Sequence, residues 1–416
     1  MFDTEQPAVR DPPQAGRRAT HILAIMHSDA AGGPPQHVFP WLRHLAQRGR
    51  VDVVVPGRGS AADLFATMGR VSTLDYQRIT YPSGPGDLIS LFSRLRRDVR
   101  AFRRHIRETN PDLVLVVTSM LPAALVAARL ERRPTIVYVG EIFDKRFVRS
   151  RGRSLAGAAM RRLLGYADAL VCCSDAVARQ FSAAERGRVV TVYPGVGTAY
   201  AGGNGDRFRA AHGLTAASPC LAVVGNVSHG RGQDLIVRAL PLIRQRLPDV
   251  HCIVAGLPHP RPVDIAYRRD LESLAGELGV EDRVAFVGFV ERVADLYAAA
   301  DIVVNPARFN EPFGRVAIEA MSAGRPVIAA RVGAIPEVMC DGRDAILVDP
   351  DDEQALAAAV VRLWSDRKLR ERQVHAGKRL VSSRFDERAG VDAFAAVVDE
   401  VARDAGGSRR RGGSRE

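Results

Sequence analysis

The chain has 416 residues and a formal net charge of +12, with 46% hydrophobic and 25% charged residues. That balance fits a folded protein of two or three domains and excludes a disordered or collagen-like chain. No apolar run approaches the roughly 20 residues that a membrane span needs, and residues 1–19, without an apolar signal-peptide core, read as a flexible lead.

Lysine occurs only at Lys145, Lys368 and Lys378, so the positive charge is almost entirely arginine. Charge alone would suit nucleic acid, but it gives no account of the motifs below, and no nucleic-acid partner is expected. The cysteines Cys172, Cys173, Cys220, Cys252 and Cys340 form no C-x-x-C pair and read as buried, reduced thiols of a cytoplasmic protein. No cluster of His and carboxylates has metal-ligand spacing, so no metal and no bound cofactor are expected.

In chain order, short β-branched runs alternate with longer helical stretches, the pattern of βα units and parallel sheets. The first half offers strands at 21–26, 51–55, 113–117, 135–139, 169–173 and 189–193. Between the second and third of these, Leu88, Leu91, Leu95, Val99, Phe102 and Ile106 recur at helical spacing. Arg94, Arg96, Arg97, Arg100, Arg103, Arg104 and Arg107 crowd the other face. Such a helix suits contact with anionic lipid at the inner membrane face, the holding of an acidic acceptor, or core packing with a solvated basic side. Lys145, Arg146, Arg149, Arg151 and Arg153 form a second basic stretch.

A Gly-rich linker at 199–206 precedes strands at 221–225, 251–255, 284–287, 301–305, 326–330 and 345–348. Two Rossmann-like α/β domains facing across a cleft are predicted, 20–198 and 207–375, with ligands at the C-terminal strand ends. Residues 366–402 are helical in pattern, with Phe385, Val391, Phe394 and Val398 apolar, and 403–416 read as a disordered tail.

The most informative stretch is FNEPFGRVAIEAMSAGRPVIA, residues 309–329. Pro312 and Gly314 open a helix whose free N–H groups at Gly314, Arg315 and Val316 would favour phosphate. Glu311 stands ahead of that turn, and Glu319 lies along the helix on the order of 10 Å away. A carboxylate at each end of a phosphate-binding turn suits a nucleotide sugar.

This segment resembles the Glu-x7-Glu motif of family 4 retaining glycosyltransferases of the twin-Rossmann GT-B type. Three further landmarks fall in the family's order: Ala31-Gly32-Gly33, Gly225-Asn226 through Arg231-Gly232-Gln233-Asp234, and Gly333 to Glu337. The resemblance covers most of residues 20–385. It implies transfer of a sugar from a nucleoside diphosphate, with a UDP-sugar favoured, to an acceptor that is a small metabolite, lipid-linked or a polysaccharide. It also implies retention, no metal, and a helix over 376–402 crossing back to the first domain. An epimerase or hydrolase on the same scaffold is the alternative. A pyridoxal-phosphate phosphorylase does not fit, since the donor-half motifs hold no lysine before Lys368.

By the same resemblance, Arg231 is the cation at the departing diphosphate, Glu319 accepts from the ribose hydroxyls, and Glu311 meets the transferred sugar. Gly33 reaches the donor phosphate across the cleft. Phe313, Gly314, Arg315 and Val316 form the phosphate turn, and Val290 lies where main-chain groups hold the base. A second basic residue usually follows the strand glycine; here Asn226 either donates a hydrogen bond or caps a turn, and Arg315 is a substitute cation. On the acceptor side, many members carry a His after the fourth strand. This chain has Glu141, which suits either an acceptor contact or a helix cap, and His27 ahead of the glycine loop is the other candidate.

Overall fold

The computed structural model describes residues 20–76, 85–143, 160–182, 188–215 and 218–412, with 85–91 and 406–412 as backbone only. The basic stretch at 145–153 lies outside the described residues, as do the side chains of Leu88 and Leu91.

Two all-parallel sheets carry the fold. The first joins β1 (His21–Met26), β2 (Arg50–Val55), β3 (Arg70–Thr73), β4 (Leu113–Val117), β5 (Thr135–Val139), β6 (Ala169–Cys172) and β7 (Val189–Thr191) in the order 3-2-1-4-5-6-7. The second joins β8 (Cys220–Val224), β9 (His251–Ala255), β10 (Val284–Gly288), β11 (Ile302–Asn305), β12 (Val327–Ala330) and β13 (Ile346–Val348) in the order 10-9-8-11-12-13. Helices cover both faces, so the central strands are mainly apolar; β4 and β5 are buried at every position. Strand order reverses beside β1 and beside β8, which places a crevice at the C-terminal ends of those strands.

The sequence pattern predicts twelve of these thirteen strands. The missed one, β3, is a four-residue edge strand with no fully buried position, so neither length nor alternation marks it. The linker is also tighter than its glycines suggest. A Cβ on Gly203 would lie 2.0 Å from the Ala294 carbonyl oxygen, and one on Gly205 2.4 Å from that of Ala298. Here glycine serves close packing rather than slack, and Asn204 caps a helix at Gly205–Ala211 that already belongs to the second lobe.

A helix at Arg367–Arg384 ends at Phe385, and another, Glu387–Gly412, returns to the first lobe. There Phe394 stacks on Trp41 at 4.6 Å between ring centroids. The outgoing and returning chains touch where they cross: Val196 N–H donates to the Phe385 carbonyl at 2.9 Å, and Val196 bridges Asp386. The second helix runs on to Gly412 through the stretch expected to be disordered from 403. A docked helix adds turns far more easily than it nucleates.

The Arg-rich segment is a helix, Pro85–Thr109. Phe102 and Ile106 are buried, Leu95 and Val99 pack against them, and Phe92 is 67% exposed. Arg103 and Arg107 both bind Glu131, and Arg97 pairs with Asp98. Cys340 is exposed, unlike the other four cysteines. Among the described residues no helix is long and apolar enough to cross a membrane.

Candidate functional site

The second lobe supplies most of the candidate residues. After β8, Gly225 and Asn226 lead into a 3-10 turn at His229–Arg231, and Gly232 (φ +69°) redirects the chain into the helix Gln233–Arg244. A Cβ on Gly232 would collide with the Pro306 carbonyl at 2.1 Å, and Gly230 O accepts from Arg308 N–H at 2.8 Å. The turn is therefore pinned to the end of β11, and Arg231 is aimed by backbone. Its Nη1 donates to Glu311 Oε2 at 3.0 Å, with the guanidinium 4.8 Å from the Phe309 ring centroid. Arg231 and Glu311 are thus joined across 80 residues, as neighbours of one site.

The helix after Glu311 begins at Arg315, three residues after the Pro312 expected to open it, because Gly314 (φ +89°) is its left-handed N-cap. Pro312 consequently lies outside the first turn. The N–H groups at the start of this eight-residue helix, Arg315–Ser322, lack intrahelical acceptors. Glu311 itself is held from behind by Gly333: Ala334 N–H donates to Glu311 O at 2.8 Å. A Cβ on Gly333 would stand 2.3 Å from that oxygen, at φ +55°. Gly333→Ala is therefore expected to displace Glu311, lowering both the melting temperature and activity by at least about tenfold, since backbone has nowhere to retreat; unchanged activity would free Glu311 from this support.

Glu319 is 6% exposed, and each of its carboxylate oxygens accepts one hydrogen bond. Tyr297 OH donates to Oε2 at 2.8 Å and Arg315 Nε to Oε1 at 2.6 Å, while Arg315 Nη2 reaches Tyr200 OH at 3.0 Å. Burial, the largest single influence, would lower the Arg315 pKa, but Glu319 and Tyr200 together outweigh it and hold the guanidinium above its ordinary value. Arg315 is thus a partner of Glu319 more than an exposed substitute cation. Phe313 also differs from expectation: its ring is 1% exposed, packed on His37, Tyr193 and Phe385, which leaves only its backbone for a ligand. Val316 and Val290 are half-buried, and Phe289 beside Val290 is 75% exposed at the end of β10.

In the first lobe, Gly33 (φ +55°) precedes the helix Pro34–Ala46, and a Cβ there would meet nothing within 4 Å, so it borders open space. His27 Nδ1 lies 3.2 Å from the Val117 carbonyl, tying the ends of β1 and β4. Glu141 caps no described helix. Its carboxyl accepts from Thr118 OH, Ser119 OH (3.1 Å) and Gly140 N–H (3.2 Å), and burial raises its pKa against those hydrogen bonds. Thr118 holds φ +138°, a strained value of the kind found at functional sites.

Contacts across the cleft bring the two edges together. Cys173 Sγ–H donates to Pro312 O at 3.5 Å, and its pKa is raised by burial and by nearby charges that include Glu141 and Glu311. His37 shares a 2.6 Å hydrogen bond with Tyr138 OH and sets its ring edge against Phe313; burial and then Arg315 keep it neutral. Glu337, from the Gly333 motif, accepts from the N–H groups of Asp175 (2.8 Å) and Ala176 (2.6 Å) and from Tyr193 OH (2.9 Å). Sequence reading missed His37 and Tyr297; the signal for His37 was its place in the first turn after Gly33. Among the described residues no group of three or more His, Cys, Asp or Glu has the geometry to hold a metal ion.

Comparison with known proteins bears on the family and the fold. A profile described as Glycosyl transferases group 1 matches residues 205–380, and one described as Glycosyltransferase Family 4 matches residues 31–200. A D-inositol 3-phosphate glycosyltransferase of Mycolicibacterium gilvum is 37% identical over 211 residues, 49% of this chain and 46% of that protein. The enzyme of that name from Xylanimonas cellulosilytica is 40% identical over 192 residues, 45% and 43% of the two chains. The matched stretch thus spans less than half the length of these relatives. In fold, the chain is similar to Anabaena HepE solved with UDP-glucose, with a TM-score of 0.78 at 22% identity, covering 92% of this chain and all of that one. A sucrose-phosphate synthase of Thermosynechococcus elongatus gives 0.74 at 23% identity, covering 92% and 99%. With one profile on each lobe and the paired sheets between them, the chain belongs to family 4 of the glycosyltransferases and has the GT-B fold.

Proposed function

We propose that this protein transfers a hexosyl group from a UDP-sugar to an acceptor hydroxyl, with retention of configuration and without a metal. The observation that carries the reading is the Arg231–Glu311 pair, joined at 3.0 Å ahead of the Arg315–Ser322 helix, whose N-cap Gly314 offers no side-chain cap. As the anomeric carbon–oxygen bond breaks, negative charge gathers on the diphosphate, where Arg231 and the helix N–H groups stabilise it. Glu311 faces the sugar, where positive charge develops. The acceptor oxygen forms the new bond and its proton passes to the leaving phosphate. Glu319 receives the ribose hydroxyls, and His27 and Glu141 border the acceptor.

The similarity to a fold solved with UDP-glucose supports the choice of UDP, and relatives named for transfer onto an inositol phosphate make a polyol the first acceptor to test. Within the same reading the protein works in the cytoplasm. Phe92, Arg96, Arg100 and Arg104, all exposed along one helix, would give it peripheral contact with an anionic membrane.

A thermal-shift panel of UDP, GDP, ADP and dTDP, with and without EDTA, tests the donor. A ligand at about 100 times its dissociation constant stabilises the native state by about 2.7 kcal/mol. We expect UDP to raise the melting temperature most, with EDTA making no difference. Silence from all four nucleotides would remove the donor reading, and loss of the UDP shift in EDTA would remove metal independence.

A further inference from the structure

We propose that Glu337 is a positioning residue for the donor site, holding the segment that braces Glu311 and the Gly314 turn in the place set by the first lobe. The proposal rests on the donor reading above. Residues 333–337 touch that site at two points. A Cβ on Gly333 would lie 2.3 Å from Glu311 O and 2.5 Å from Glu311 N, and Ala334 N–H donates to Glu311 O at 2.8 Å. Ile335 then fills the space that Gly314 leaves: a Cβ on Gly314 would be 2.5 Å from Ile335 Cδ1. Glu311 and the N-cap of the Arg315–Ser322 helix therefore rest on one short stretch of chain.

The far end of that stretch is bound by the first lobe. Glu337 Oε1 accepts from Asp175 N–H at 2.8 Å and Tyr193 OH at 2.9 Å, and Oε2 accepts from Ala176 N–H at 2.6 Å and Arg179 Nη2 at 3.2 Å. Three of these four donors stand in or next to the short helix Asp175–Ala178 that follows β6. The Glu337 carbonyl accepts from Arg384 Nη1 at 2.8 Å, and Arg384 Nη2 donates to Tyr193 OH at 3.0 Å, close to the crossing at Phe385. With the Glu337 side chain only 11% exposed, water competes little for these charge-assisted bonds.

Ile335 and Glu337 share a helix of four residues, Ile335–Val338, and Ile335 is fully buried. A close-packed interior passes on a displacement rather than absorbing it. Movement of the first lobe that shifts Glu337 therefore shifts the support under Gly314 and Glu311. Cys173, just after β6, also donates to Pro312 O at 3.5 Å. The turn after β6 thus reaches the donor loop twice, directly at Pro312 and through Glu337. A staple that only joined the lobes would need neither the Gly333 contact nor the Ile335 contact.

Dissociation constants for UDP, measured by calorimetry well below the melting temperature, test the coupling. Glu337→Gln turns one carboxylate oxygen into a donor that faces donors. Asp175→Pro removes a first-lobe N–H and leaves every residue of the second lobe in place. Proline suits that position, since Asp175 opens its helix and Ser174 before it is extended (φ −161°, ψ 164°). Each variant is expected to weaken UDP about threefold to tenfold, the scale of coupling between residues in contact. Ile335→Val deletes the Cδ1 that faces Gly314; in that background Asp175→Pro should cost less than about twofold more, because coupled contacts do not add. Unchanged UDP affinity in Asp175→Pro overturns the proposal, whether or not Glu337→Gln folds. An undiminished Asp175→Pro effect beside Ile335→Val overturns it too, since the loss would then run through Gly33 rather than through Glu337. If the unmodified protein binds no UDP, the donor reading fails first and takes this inference with it.

Discussion

Arg231→Ala should lower turnover by about 10²–10³, the scale of losing one preorganised electrostatic stabiliser at a developing charge. Its guanidinium is carried by a turn whose Gly232 leaves no room for a Cβ, so the turn is fixed against the end of β11. The substitution also strands Glu311, whose side chain is 10% exposed and loses its charged partner. Stability therefore falls together with rate, and the two effects need separating. Adding Glu311→Gln removes the stranded charge, so the double variant should regain melting temperature but not turnover. Diphosphate release in the presence of a working acceptor gives the rate. Near-normal turnover in Arg231→Ala would take the arginine away from the leaving group.

Glu319→Ala is expected to have the largest effect on stability. The carboxylate accepts from Tyr297 and Arg315, both on the buried side of the Arg315–Ser322 helix. Removing it leaves a mostly buried guanidinium without its counter-charge, a loss of about 3–5 kcal/mol. For a lobe of this size that is a fall of roughly 6–20 °C in melting temperature. The family resemblance gives Glu319 a place at the ribose hydroxyls, and the buried cluster adds a structural role, which changes the experiment. Glu319→Gln keeps an acceptor for Tyr297 and is the better probe of binding. It should weaken UDP while retaining most of the stability, and unchanged UDP affinity would remove the ribose assignment.

The central strands and the Glu311–Glu319 segment were legible because each is a local pattern. A buried parallel strand is a continuous β-branched run, and two carboxylates eight residues apart, one ahead of a helix and one on it, are read directly from the chain. Contacts between separate βα units leave no such trace. His37 meets Tyr138 across 101 residues and Asn226 meets His259 across 33, and neither pair has a period or a motif. Glycine misled in the linker because composition cannot tell a flexible glycine from one pressed against a carbonyl, as at Gly203. The break at Phe385–Asp386 did carry a signal: Asp386 Oδ1 accepts from Ala389 N–H at 3.1 Å, the ordinary mark of a helix start.

The crossing at Val196 and Asp386 has a mechanical consequence. The two passes of the chain between the lobes run side by side and are hydrogen-bonded to each other, so they form a single pivot. Sliding of one lobe past the other is blocked there, and rotation is the freedom that remains. Because either pass alone keeps the lobes connected, a cut at Ala201–Gly202 would leave one assembled particle rather than two separate halves.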